Sequence, residues 1–120
     1  MTYYHVSKEK EFDFSLFKKS RYGFTALFFT DNSELKDLYL KENKGAEISI
    51  DNPFIDYEID FNNKISYSSV FRNTIINLNK KGYKTVLIKN VIDYPSSANK
   101  KFISSDILVV FDLKYLKTLL

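Results

Sequence analysis

The chain has no cysteine, a single histidine, three glycines and two prolines among 120 residues. Without cysteine there is no disulfide framework and no thiolate metal site, and with one histidine a zinc site would have to be built almost wholly from carboxylates. A structural metal is therefore not expected. No apolar run approaches the ~20 residues that a membrane span needs, and the opening Met1-Thr2-Tyr3-Tyr4-His5 lacks the basic and apolar regions of a signal peptide. The expectation is a cytoplasmic protein without a membrane partner. Gly23, Gly45 and Gly82 each stand alone, so there is no glycine-rich phosphate cradle, and no internal repeat is visible.

What is present fits one domain over residues 1–120, long enough to bury roughly 65% of its unfolded surface in a single core. Eighteen Lys and Arg against fifteen Asp and Glu give a net charge of +3. The excess is scattered in pairs such as Lys18-Lys19, Lys80-Lys81 and Lys100-Lys101, which reads as a solvated surface. Nine Tyr and eleven Phe accompany many Lys, Asn and Ile, the usage of AT-rich coding, so the aromatic richness is poor evidence for nucleic-acid stacking.

Hydrophobic periodicity divides the chain into short elements. A first strand over Thr2 to Ser7 carries His5, and Phe12, Phe14, Leu16 and Phe17 follow on a short helix or turn. Phe24 to Thr30 reads as a second strand, after which Asp31-Asn32-Ser33 supplies caps for a helix from about Glu34 to Glu42. Ala46 to Ile50 alternates as a third strand, and Asn52-Pro53 forces an extended turn into Phe54-Ile55-Asp56-Tyr57. A helix from Ser66 or Ser68 to Lys81 puts Val70, Phe71, Thr74, Ile75 and Leu78 on its inner face and stops at Gly82. Tyr83 to Lys89 is a strand, Asn90 to Ser105 a polar connection that is either a target-binding loop or a disordered linker, and Asp112 to Leu120 a turn followed by a terminal strand or short helix.

The run Ile107-Leu108-Val109-Val110-Phe111 is apolar throughout and rich in β-branched residues, the pattern of a strand buried on both faces. Asp106 stands at its entrance, where a charge beside apolar walls must be hydrated, paired or used. Read alone, Asp106 is a strand-edge carboxylate facing water, and His5 is a half-buried packing residue whose ring nitrogens also suit a sugar hydroxyl. Phe28 and Tyr39, eleven positions apart across the strand-to-helix turn, are either core aromatics or two rings that face each other.

In this order, the blocks Tyr4-His5-Val6-Ser7, Gly23 to Asn32 with Tyr39, Gly82-Tyr83 to Asn90, and Ser105-Asp106 to Lys117 resemble the ADP-ribosyltransferase superfamily. The closest likeness is to the compact diphtheria-toxin-like branch of phages and mobile elements, which includes anti-CRISPR-type enzymes. The resemblance covers the whole chain; its blocks are weak singly and specific jointly. It implies an α+β fold, a split β-sandwich of two small, mostly antiparallel sheets with flanking helices and NAD in the cleft between them. It also implies site roles: His5 on an NAD ribose, Phe28 and Tyr39 flanking the nicotinamide, and Asp106 as the catalytic acid, with no metal. Phe28 stands where that branch usually has tyrosine, and Asp106 where glutamate is more frequent.

The chemistry accounts for these residue types. Cleaving the nicotinamide–ribose bond spreads positive charge over the ribose, so a fixed carboxylate stabilises the transition state more than the ground state. Aromatic faces attract the pyridinium by about 0.5 to 2 kcal/mol. The implied function is an NAD-dependent mono-ADP-ribosyltransferase with a macromolecular target, a host or defence protein. Ser104 occupies the position where arginine-modifying members carry a second Glu or Gln, which disfavours an arginine target. Two alternatives stand beside this reading. One is a catalytically inactive binding module or inhibitor on the same fold, suggested by Phe28 and Asp106. The other is a nucleic-acid-modifying or RNA-binding relative, suggested by the exposed lysine pairs.

Overall fold

The computed structural model describes residues 1–7, 24–43, 45–63, 69–93 and 103–119. The elements are β1 (Thr2–Val6), β2 (Leu27–Thr30), α1 (Ser33–Asn43), β3 (Glu47–Asp51), β4 (Tyr57–Asp60), α2 (Ser69–Lys80), β5 (Thr85–Asp93), β6 (Ile103–Val110) and α3 (Leu113–Leu119). The element expected around Phe12 to Phe17 lies outside the described residues. No helix among the described residues is long and apolar enough to cross a membrane.

The fold is α+β. Six strands form one hydrogen-bonded sheet of order β3-β1-β2-β6-β5-β4. Every neighbouring pair is antiparallel except β4 with β5. Where a division into two small sheets was expected, the β2–β6 ladder runs from Leu27↔Val110 to Thr30↔Ile107 and ties the two halves together.

The sheet centre is covered on both faces, as the apolar run in β6 requires. Ile107 and Val109 pack with Val86 and Ile88 of β5 against Phe71, Ile75 and Leu78 of α2. On the opposite face Leu108 and Val110 meet Phe29, Leu87, Tyr3 and Ile50 beneath Leu116 of α3. The connection from β3 to β4 belongs to this second layer: Ile55 packs into it, and the Tyr115 hydroxyl accepts the Phe54 amide at 2.9 Å. Helix α1 lies on β1 and β2, on the α2 side of the sheet, since Lys36 sits 5.1 Å from the Tyr4 ring centroid and bonds Glu47.

Local rules set the helix ends. Asn32 Oδ1 accepts the Leu35 amide at 3.0 Å, so Asn32 is the cap of α1. Asp112 does the same for Tyr115 at 3.1 Å in α3. Helix α2 stops at Gly82, whose φ of +83° is the left-handed conformation that glycine adopts without strain.

Four expectations are corrected. Strand β2 starts at Leu27, three residues later than read. Strand β4 takes in Tyr57, the end of the expected extended turn, and Glu58 to Asp60, for which the sequence offers no element because two apolar residues alternating with two carboxylates make a weak pattern; parallel pairing with β5 makes it a strand. Val70 is 52% exposed, whereas Phe71, Ile75 and Leu78 are buried, so the inner stripe of α2 begins one residue later. The polar connection is shorter at both ends than Asn90 to Ser105. Val91, Ile92 and Asp93 pair with Ser105, Ser104 and Ile103, extending β5 and β6 into a hairpin. The two serines gave no apolar signal, and the partner strand supplies the order instead. The remaining residues of that connection, 94–102, lie outside the described residues.

The α2 correction is testable by urea unfolding. Phe71→Ala should cost about 3 to 5 kcal/mol, the usual range for emptying a buried ring site, whereas Val70→Ser should stay within about 0.5 kcal/mol of the unaltered protein. Comparable losses from both would restore Val70 to the core.

Candidate functional site

The sequence-derived candidates fall on adjacent elements. His5 is on β1, Phe28 on β2 and Asp106 on β6, three strands that are neighbours in the sheet. Tyr39 is half-buried on α1, which packs on the first two of them.

Strand alternation then sorts their side chains. The His5 ring lies 5.6 Å from the Phe29 ring, and Phe29 belongs to the α3-side cluster. Phe28 packs against the α2-side cluster, on the face over which α1 and Tyr39 lie. Asp106 is two residues from Leu108 and shares its side, toward α3, where its charge acts on the Tyr3 hydroxyl. His5 and Asp106 are thus brought to one face, with Tyr3, Phe29 and Asp31. Phe28 and Tyr39 are brought to the other.

Asp106 lies inside β6, three residues from its start, and is partly buried rather than an open strand edge. Its Oδ1 accepts the Asn90 amide at 3.0 Å. That amide is free because β5 slips register between Ile88 and Val91, and Asn90 turns to a φ of 56°. A bulge leaves a backbone donor without its ladder partner, and the carboxylate takes it. The Asn90 side chain donates to Asp60 Oδ1 at 2.9 Å, and its carbonyl accepts the Asn63 amide at 2.8 Å. Asn63 also accepts a bond from the Ser104 hydroxyl. These groups form a polar shelf at one end of β4, β5 and β6.

Asp31 faces Asp106 across the β2–β6 ladder. Its Oδ1 accepts the Asp106 amide at 2.8 Å, and its own amide donates to the Asp106 carbonyl at 3.2 Å. Burial pushes the Asp31 carboxyl above the ordinary 3.8; the bond from the Asp106 amide opposes this, and the Asp106 charge adds to it. Tyr3 is pushed up as well, first by burial and then by the charges of Asp106, Asp31 and Glu58.

His5 Nδ1 is 2.7 Å from the Phe28 carbonyl. A carbonyl only accepts, so Nδ1 carries the proton and Nε2 of the neutral ring is an acceptor. Burial lowers the histidine below its ordinary 6.5, and the carbonyl bond offsets only part of that. Neutral imidazole can receive a hydroxyl proton donor but brings no charge to the site.

Sequence reasoning overlooked Asp31, Tyr3, Asn90 and Ser105. Asp31 was grouped with Asn32 and Ser33 as a cap, but a helix end needs one capping side chain, and the surplus carboxylate was the available signal. Ser105 is 4% exposed, and its Oγ has no partner among the described residues. It points to the Phe28 face, two residues before Ile107. No group of three or more His, Cys, Asp or Glu among the described residues is arranged to hold a metal ion. No family model, curated protein or solved structure matches the chain.

The histidine predicts a pH effect. Its folded value lies below 6.5, so between the two values the unfolded chain binds more protons than the folded one. Its contribution to stability is complete above about pH 6.5 and is lost as pH falls through that window. His5→Gln should remove this component, so urea-derived stability should fall less between neutral pH and about pH 5 than in the unaltered protein. Parallel pH curves for the two proteins would show that His5 protonates in place without penalty.

Proposed function

We propose that the protein is an NAD-dependent mono-ADP-ribosyltransferase whose target is a macromolecule, a host or defence protein encountered by a phage or mobile-element effector. The observation that carries this reading is the placement of His5, Phe28 and Asp106 on the adjacent strands β1, β2 and β6, with the helix bearing Tyr39 packed over β1 and β2. Widely separated stretches of chain thereby lie on neighbouring elements, which supports this reading. The two-sheet architecture of that family belongs to the same proposal, β3-β1-β2 and β6-β5-β4 being its halves, joined along β2 and β6.

In this reading the neutral His5 imidazole holds a ribose hydroxyl. Phe28 and Tyr39 hold the nicotinamide ring, and Asp106 supplies negative charge to the ribose as the bond to nicotinamide breaks. The Asn90 amide keeps Asp106 Oδ1 at the level of the β5 backbone at the sheet's end. From there a ligand lying across that end is within reach of both faces. A target nucleophile then takes the ribose carbon, and Asp106 receives its proton.

A second reading has an observation in its favour. Alternation sends Asp106 to the face opposite Phe28, and on the Phe28 face β6 presents Ser105 and Ile107 instead of a carboxylate. This arrangement suits a module that kept the fold and binds a partner without chemistry.

One experiment separates the two. The protein is incubated with NAD and a host lysate and assayed for protein carrying the mass of one ADP-ribose, beside Asp106→Asn. Transfer should depend on NAD and fall on the order of 10²-fold to 10³-fold in the variant, the effect of removing one electrostatic stabiliser, while NAD binding by calorimetry persists. Transfer by Asp106→Asn at the unaltered rate would remove Asp106 from the acid's role, and inhibition of a partner equally strong without NAD, with no transfer by the unaltered protein, would establish the second reading.

A further inference from the structure

Two carboxylates stand face to face at the end of the β2–β6 ladder, and only Asp106 has a role in the proposed chemistry. Asp31 makes no helix cap, because Asn32 does that work. Its Oδ1 is committed to the Asp106 amide at 2.8 Å, and its amide to the Asp106 carbonyl at 3.2 Å. The residue flanking Asp106 on the other side is Asn90, whose amide holds the Asp106 side chain. Asp31 therefore secures the main chain of Asp106 while Asn90 secures its carboxylate. A cross-strand pair could have used backbone groups alone. Instead a partly buried carboxylate takes one of the two bonds, at a desolvation cost that a neutral side chain would have avoided.

We propose that Asp31 is the positioning residue of this site, its carboxylate clamping the Asp106 amide so that Asp106 is held at a fixed height and angle at the end of the sheet. The inference rests on the reading of Asp106 as the acid of the site. A charged acceptor makes a shorter and stronger bond than a neutral one, so the clamp is tightest when Asp31 is ionised and slackens when it takes a proton. Among the described residues the ionisable groups that act with it are Asp106 on β6 and Tyr3 on β1. Neither is a cation, so the pair presents negative charge, the sign that a developing ribosyl cation requires. Catalytic geometry is sensitive to such support, since a displacement near 1 Å can cost about 10²-fold.

The test combines two variants with a resonance that needs no turnover. Asp31→Asn keeps an oxygen acceptor of the same shape without the charge, and Asp31→Ala removes both. With NAD as substrate, kcat should fall modestly in Asp31→Asn and by about 10²-fold in Asp31→Ala, with KM for NAD unchanged in each. The unaltered enzyme should lose kcat on the acid side as Asp31 protonates above 3.8, and Asp31→Asn, already neutral, should lack that limb. In the unaltered protein the backbone amide resonance of Asp106 should show one acid-side titration step more than in Asp31→Asn. A missing titration step in the unaltered protein, or kcat and pH profile unchanged in Asp31→Ala, would overturn the positioning role. If the unaltered protein turns over no NAD while the Asp106 amide still follows Asp31, the clamp stands and the transferase reading fails.

Discussion

The rest of the structure depends on β6 being buried from both sides. Ile107, Leu108, Val109, Val110 and Phe111 are each no more than 9% exposed. Burying such side chains is worth about 1.5 to 3 kcal/mol each, so together they contribute on the order of the whole net stability of a small domain. The figure is an upper bound, because the unfolded chain already hides part of this surface. A strand with two apolar faces needs a layer on each: α2 supplies one, α3 and the β3–β4 connection the other. It also needs both flanks paired, and β2 and β5 pair them. β1 and α1 are then ordered on β2, so the candidate residues inherit their positions from the β6 core.

The polar end of β6 is a consequence of the same strand. Apolar alternation stops at Ile107, and the next two positions are Ser105 and Asp106. There β5 bulges, and Asn90, in a left-handed conformation, presents an amide without a ladder partner. Asp106 thus has a structural duty that is independent of any chemistry. An unmet buried donor costs about 1 to 3 kcal/mol, and the carboxylate removes that cost. The fixed geometry that satisfies the amide is also what an electrostatic stabiliser needs, since a charge that must swing into place loses much of its effect to reorganisation. In the proposed chemistry one bond would serve fold and site together.

How much of this was legible follows from how far each signal is local. The two-faced strand, the α1 cap region, the end of α2 at Gly82 and the first three strands could be read from short windows, because propensity and pattern agree there. The extension of β5 and β6 into a hairpin could not. Ser104 and Ser105 are in strand because Val91 and Ile92 pair with them, a relation across a connection that no window spans. Strand β4 failed for a related reason: its parallel partner comes after a helix. For the site, residue types and order pointed to His5, Phe28, Tyr39 and Asp106, and the strands that carry three of them are neighbours. The side to which each residue points was not legible, because that parity depends on the register between strands and a slip of one residue reverses every side chain.

That parity bears directly on how the site can work. If Asp106 and Phe28 stood on one face, a ligand lying flat on the sheet would meet both. With the two on opposite faces and Phe28 paired with Val109, further into the sheet than Asp106, the proposed ligand would have to pass round the end of the sheet, where the β2–α1 turn, the β5 bulge and the start of the buried β6 run come together. Here the Asp106 carboxylate is drawn toward the β5 backbone by Asn90 rather than left standing in the α3-side face. The main chain beneath it is held by Asp31. Asp31, Asp106 and a Tyr3 hydroxyl that resists ionisation stand together on the α3 side, while Lys89 acts on Asp60 of the adjoining shelf, so the carboxylate pair and the cation are set on neighbouring strands of the same sheet.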